Sequence, residues 1–198
     1  MDNDVRAAEI SRKTSETEIV LNLDLDGTGD SQIDIEVPFL SHMLILLASQ
    51  SLCDLRIRAR GDIQIDDHHT VEDIGICLGQ AIKECLGEKR GINRYGSALI
   101  PMDEALARVA IDLSGRPYLD FNAIMPMETI GSFSTDLVEE FFRAMANHAG
   151  MTLHIDLLKG NNTHHIIEAI FKSFARALSE AIAVEPRIQG VWSSKGRL

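Results

Sequence analysis

"HHTVEDIGICLGQAIKECLG", residues 68–87, and "HHIIEAIFKSFARALSEAI", residues 164–182, decide how this chain is built. A shift of 96 positions carries His68, His69 and Glu72 onto His164, His165 and Glu168. The same shift carries Val71, Ile74, Leu78, Ala81, Ile82 and Leu86 onto Ile167, Ile170, Phe174, Ala177, Leu178 and Ile182. These apolar positions have helical spacing, so both stretches are expected to be helices that bury equivalent faces. Gly87 is the expected C-cap of the first helix, and Asp67 and Thr163 are the expected N-caps of the two.

Working upstream, a shift of 98 carries His42, Leu55 and Ile57 onto Glu140, Leu153 and Ile155. The apolar helix "FLSHMLILLAS" (39–49) and the strand "DLRIRA" (54–59) thus have counterparts in "TDLVEEFFRAMANHAG" (135–150) and "MTLHIDLL" (151–158). Alternation of apolar and polar residues marks further strands in "EIVLNLDLD" (18–26), "QIDIEV" (32–37), "DIQI" (62–65), "SALIPM" (97–102), "ALARVAIDL" (105–113) and "PYLDFNAI" (117–124). The fold expected is α/β (α+β): an internally duplicated βαβ-type half, helices packed on sheet. The halves are 1–90 and 91–198, joined through the polar, basic "GEKRGINRYG" (87–96) into one compact domain.

The bulk composition narrows the function classes. With 198 residues, 45% hydrophobic and 25% charged, the chain can bury a substantial core. A net charge of −11 speaks against nucleic acid as a partner and confines any anionic ligand to a local basic pocket. Cys53, Cys77 and Cys85 are odd in number, and their spacing fits neither a disulfide framework nor a zinc ribbon, so reduced thiols are expected. No apolar run is long enough to span a bilayer, and "MDNDVRAAEISRK" lacks the apolar stretch of a signal peptide. A soluble, cytoplasmic protein with no membrane partner is expected.

The histidine pairs carry the chemistry. Residues three and four apart on a helix share a face, so Glu72 can reach the same ion as His68 or His69, and Glu168 the same ion as His164 or His165. Adjacent histidines diverge by about 100° around the axis, so one pair does not readily chelate one ion. A single pair at a helix start reads equally well as solvated polar residues. Two copies with glutamate at matching spacing, and His42 beside them, point to metal. Mixed imidazole and carboxylate donors suit Mn, Fe, Co or Zn better than Mg or Ca. His148 and His154 have no such partners and read as structural or surface residues.

Two shorter motifs mislead. "DLDGT" (24–28) matches an aspartyl-phosphate phosphatase motif, which requires a buried parallel strand before it. Here Asn22, Asp24 and Asp26 alternate with leucines, as in a half-exposed strand. "DHH" (67–69) is shared with Asp-His-His metallophosphoesterases, the competing enzyme class, but that reading leaves the copy at 164–168 unexplained.

Taken together, "RKTSETEI", "FLSHM", "GDIQIDDHHTVEDIGICLGQA", "PMDEALARV", "DLSGRPYL", "LVEEFFRA", "NTHHIIEAIFKSFARAL" and "SSKG" resemble the imidazoleglycerol-phosphate dehydratase family, from about Arg12 to Arg197. The resemblance implies halves similar to the second domain of ribosomal protein S5, and a homo-oligomeric 24-subunit shell built from trimers. It also implies active sites at subunit interfaces, each with two Mn2+ ions. It implies metal ligands at His42, His68, His69, Glu72, His164, His165 and Glu168, with Glu140 where some members carry a histidine. The implied reaction is the histidine-biosynthesis lyase step, in which imidazoleglycerol phosphate loses water to give imidazoleacetol phosphate through a metal-stabilised imidazolate. Glu16 is the implied proton-transfer residue. Arg94, Arg116, Lys172, Ser193, Ser194 and Lys195 are the implied phosphate contacts. Asp103 and Glu104 lie in a matching motif without a physical role that the sequence supplies. Ile35, Glu36, Ser41, Leu46, Gln50 and Trp192 depart from the usual pattern.

Overall fold

The computed structural model describes residues 5–196. In the first half, β1 (Ala7–Lys13), β2 (Thr17–Asp24) and β3 (Ser31–Asp34) lead into α1 (Pro38–Ser51), β4 (Asp54–Gly61) and α2 (His68–Leu86). The second half repeats this with β5 (Tyr95–Met102), β6 (Ala105–Asp112) and β7 (Tyr118–Asn122). A small hairpin of β8 (Thr129–Ile130) and β9 (Phe133–Ser134) is inserted, and α3 (Leu137–Ala149), β10 (Thr152–Lys159) and α4 (Thr163–Ile182) complete the copy. Each half forms one four-stranded sheet, in the orders β1-β2-β4-β3 and β5-β6-β10-β7. β3 pairs parallel to β4 across α1, and β7 parallel to β10 across α3; the other pairings in both sheets are antiparallel. The duplicated βαβ-type unit expected from the repeat is therefore present.

Alternation explains which sheet face is covered. Ile19, Leu21 and Leu23 of β2, and Ala105, Ala107, Val109 and Ile111 of β6, are buried, while intervening residues face outward. Because β2 is antiparallel to both of its neighbours and only half buried, the phosphatase reading of "DLDGT" has no structural basis.

The helices pair across the halves. α2 lies on its own sheet and along α3, whereas α4 lies on its own sheet and along α1. Gly75 and Gly79 set the α2–α3 approach: a Cβ at Gly75 would lie 2.7 Å from the Phe141 carbonyl oxygen, and one at Gly79 2.5 Å from that of Met145. Phe141, Phe142, Phe171 and Phe174 fill the space between α3 and α4, with ring centroids 4.9–5.4 Å apart. Both halves thus share one continuous core.

Two local expectations need correction, and two elements carry little sequence signal. "DIQI" is not a strand: β4 ends at Gly61 and residues 62–67 turn towards α2. Its alternation finds no sheet partner, and Ile65 is 68% exposed. The polar N-terminal stretch contains β1, whose apolar signal is weak because Ile10 is its one buried residue. The β8–β9 hairpin has two-residue strands, too short for a period-2 pattern. The cap of α4 also shifts by one residue, whereas Asp67 holds the N-cap position of α2 as expected. Asn162, not Thr163, caps α4, its Oδ1 accepting the N–H groups of His164 at 2.9 Å and His165 at 3.4 Å. At α2, Asp67 makes no side-chain cap bond, and Asp66 accepts the His68 N–H at 2.8 Å. Gly87 ends α2 as expected, its N–H reaching the carbonyls of Lys83 and Glu84.

Candidate active site

Helix geometry separates the paired histidines. In each copy the glutamate shares a face with the first histidine, four residues back: His68 Nε2 is 3.9 Å from Glu72 Oε2, and His164 Nε2 is 3.4 Å from Glu168 Oε2. Because α1 packs on α4, His42 joins the second set, with Nε2 3.6 Å from the same Glu168 oxygen. The donor atoms of His42, His164 and Glu168 all lie within 4.8 Å of one another, and this is the group of potential metal donors found among the described residues. Glu168 divides its two oxygens: Oε2 faces the histidines and Oε1 accepts Lys172 Nζ at 2.6 Å. Burial pushes its carboxyl up, but Lys172, His42 and His164 outweigh burial, so the group lies below the ordinary carboxylate value.

The second histidines point elsewhere. His69 Nδ1 meets Asp62 at 3.1 and 3.2 Å and stands 3.9 Å from Glu16 Oε2. His165 Nδ1 meets Glu104 Oε2 at 2.7 Å. Donation to Asp62 raises the pKa of His69, and donation to Glu104 raises that of His165. The same bond to His165, with the backbone N–H groups of Asn162 and Asn161, lowers Glu104 to about 2. Glu104 thereby acquires a role that its sequence position did not disclose. Glu140 pairs with Arg143 at 3.5 Å on α3 and does not belong to the His42–His164–Glu168 group.

The turn that carries Glu16 is fixed from below. Thr14 Oγ1 accepts the N–H groups of Glu16 and Thr17 at 3.0 and 2.9 Å, and Thr14 N–H donates to Thr17 O. The Thr17 hydroxyl donates to Asp73 Oδ2 at 2.5 Å, and Arg12 Nε donates to Asp73 Oδ1 at 2.9 Å. Asp73 is buried on α2, one residue after Glu72. Arg12, Thr17 and Asp73 were not legible as site residues. A buried aspartate on an otherwise apolar helix face was the available signal.

The cations form a separate cleft. Arg94, Tyr95, Arg116, Trp192, Ser193, Ser194 and Lys195 line it, which gathers five of the six expected phosphate contacts. Arg94 is buried there with φ +66°, held by a bidentate pair to Asp112 at 2.7 and 3.0 Å and by donation to the Trp192 carbonyl at 2.9 Å. Arg116 is held more loosely, its Nη2 3.8 Å from Asp112 Oδ2 and its side chain 71% exposed. Lys172, the sixth residue, lies beside Glu168 instead. His148 Nδ1 donates to the Ala144 carbonyl, and His154 sits 3.3 Å from Asp120, each away from these sites.

Fold and site together describe a small-molecule enzyme of duplicated α/β build, with converging imidazole and carboxylate donors and a distinct cationic cleft. The comparisons with known proteins agree. The imidazoleglycerol-phosphate dehydratase family pattern matches residues 35–178. The imidazoleglycerol-phosphate dehydratase of Syntrophomonas wolfei is 64% identical over 195 residues, covering 98% of both chains. The crystal structure of the Staphylococcus aureus enzyme superposes with a TM-score of 0.82 at 48% identity, covering 90% of this chain and 99% of that one. That of the Pyrococcus furiosus protein gives 0.82 at 36% identity, covering 96% and 100%. The chain belongs to the imidazoleglycerol-phosphate dehydratase family, hydro-lyases of histidine biosynthesis.

Proposed function

We propose that this chain converts imidazoleglycerol phosphate to imidazoleacetol phosphate by a route that depends on bound Mn2+, at a site completed by neighbouring copies in the cytoplasm. The observation that carries the metal requirement is the meeting of His42, His164 and Glu168 across α1 and α4. Ligands bound ~2.1 Å from one ion stand roughly 3.0–3.4 Å apart, close to the 3.4 and 3.6 Å that separate the histidine nitrogens from Glu168. Mixed nitrogen and oxygen donors suit Mn2+ and its first-row neighbours.

Three donors leave a coordination shell unfilled, and the His68–Glu72 set has two. Such half-sets suit completion by residues of another subunit, in line with a homo-oligomer of trimers assembled into a 24-subunit shell. Among the described residues no helix is long and apolar enough to cross a membrane, and the three cysteines are free and buried. Both facts are compatible with a cytoplasmic enzyme.

His42, His68, His69, Glu72, His164, His165 and Glu168 would hold the two ions. Glu140 is a weaker candidate because Arg143 engages it. When bound, the metal would supply Lewis-acid polarisation of the substrate's imidazole ring. The hydroxyl on the carbon beside the ring leaves as water, and Glu16 takes the proton from the adjacent carbon. That second carbon keeps its own hydroxyl, so the resulting enol becomes the ketone one carbon removed from the ring. Arg116, Lys195, Ser193 and Ser194 bind the phosphate, with Arg94 fixing the cleft and offering its remaining donor capacity. Lys172 holds Glu168 and so orients the oxygen that faces the two histidines.

The test is to strip the full-length protein with a chelator, restore Mn, Zn, Fe or Co separately, and assay imidazoleacetol phosphate. Product should return with Mn, without release of inorganic phosphate. Activity that survives chelation overturns the metal requirement, and absence of product with every metal overturns the assigned reaction.

A further inference from the structure

The two halves meet one positional demand with different carboxylates. β2 and β6 correspond at a shift of 88, which makes Glu16 and Glu104 equivalent, each just before its strand. β4 and β10 correspond at a shift of 98, which sets Asp62 opposite Gly160. In the second half Glu104 reaches the inner histidine, 2.7 Å from His165 Nδ1, and also accepts the N–H groups of Asn161 and Asn162 at 3.2 and 2.8 Å. In the first half Asp62 takes His69 Nδ1 at 3.1 Å, and Glu16 stands back at 3.9 Å.

Local sterics explain why the halves differ. Gly160 has φ +154°, and a Cβ there would fall 2.5 Å from Ile166 Cγ1 and 3.2 Å from Ala105 Cβ. An aspartate cannot occupy that position, so Glu104 must serve. The first loop spends two more residues between strand and first histidine, 62–67 against 160–163, the difference between the shifts of 98 and 96. That length lets Asp62 reach the histidine.

We propose that Asp62 and Glu104 are corresponding positioning residues, fixing His69 and His165 through Nδ1, and that Asp62 thereby leaves Glu16 free to face the substrate. An imidazole that donates Nδ1–H to a carboxylate presents Nε2 in a set direction, and such outer partners are worth about 10–100-fold in metal affinity or activity. The division of labour rests on the reading of Glu16 and the histidines above. Asp62 does in the first half what would otherwise consume the catalytic carboxylate.

The experiment is a double-mutant cycle on the full-length protein, read as Mn affinity by chelator competition and as kcat and KM. Glu16→Gln should lower kcat and leave Mn affinity unchanged. Asp62→Ala should draw Glu16 onto His69, so Mn affinity holds within about 3-fold while kcat falls about 10–100-fold at little-changed KM. The double variant should then lose a further 10–100-fold or so in Mn affinity. The carboxylate left near His165, that of Asp103, faces Nε2 at 3.9 Å rather than Nδ1, so Glu104→Ala should lose that affinity alone. Asp62→Asn, which keeps an acceptor for Nδ1, should make Mn affinity independent of Glu16 again. Additive effects of Asp62→Ala and Glu16→Gln on Mn affinity, or coupling that persists in Asp62→Asn, overturn the proposal. Full kcat in Glu16→Gln would instead remove Glu16 from catalysis while leaving the affinity coupling as its own result.

Discussion

Thr17 donates its hydroxyl to Asp73 Oδ2 at 2.5 Å, tying the turn that presents Glu16 to the helix that presents His68, His69 and Glu72. Removing that hydroxyl should loosen Glu16 without touching the phosphate cleft. Thr17→Val is expected to lower kcat more than it changes KM, and Thr17→Ser to restore it. The lost bond to a buried carboxylate should also cost about 1.5–3 kcal/mol, read from the denaturant midpoint. Loss in the Ser variant with none in the Val variant would show that the methyl packing, not the hydroxyl, matters.

Glu168 and Glu72 occupy equivalent positions but carry different loads. Glu168 meets two histidines and Lys172, whereas Glu72 meets His68 at 3.9 Å. Both glutamine variants should lose Mn, by more than ~10-fold in affinity for Glu168→Gln and less for Glu72→Gln. Elemental analysis after dialysis against a dilute chelator measures it. Full metal content in both would remove them from the ligand set.

In the cationic cleft, Arg116 is exposed and Arg94 is clamped by Asp112 and the Trp192 carbonyl. Arg116→Ala should therefore raise KM by about 10–100-fold, equivalent to one charge-assisted bond, with little effect on the melting temperature. Arg94→Ala should raise KM and lower the melting temperature together, because it frees Asp112 and unpins the tail. Steady-state kinetics and calorimetry separate the two.

Asp54 gives an acid dependence of stability. Its Oδ1 accepts the N–H groups of Thr28 at 2.7 Å, Asp30 at 2.9 Å and Gly29 at 3.0 Å, and these bonds, that of Thr28 foremost, hold the carboxyl below the ordinary value. A depressed folded-state pKa stabilises the protein above the ordinary carboxylate value, and that contribution fades as pH falls through the folded one. Asp54→Asn should melt lower than the parent at pH 7, and the gap should close towards pH 3. An unchanged gap at both pH values would mean that the amide replaces the carboxylate in full.

The duplicated helices were legible because their apolar faces repeat over five turns, a signal that no loop or edge strand could imitate. The pairing of α1 with α4 was not, since nothing in a sequence says which of two equivalent helices a third will cover. That one packing choice brings His42 to Glu168. The cationic cleft came from motif resemblance, because single arginines in an acidic chain carry no periodicity. Asp62 and Asp73 stayed hidden for another reason: an aspartate near a helix start reads as capping or solvation until its partner is seen. The expected strand "DIQI" failed on the same ground, alternation being a necessary sign of a sheet and not a sufficient one.

The crossing of the helices has a meaning for the half-chain. Cut between Leu86 and Tyr95, the first half would keep its sheet and α2 but expose the side of α2 that Phe141, Ala144 and Met145 cover, and α1 would have no α4 to lie along. Two copies of such a half could cover each other by laying α1 of one along α2 of the other about a twofold axis. The α1–α4 and α2–α3 packings of the present chain are the two contacts of that arrangement. Its histidine–glutamate cluster sits on the seam, with His42 supplied by one half and His164 and Glu168 by the other, while the position equivalent to His42 carries Glu140.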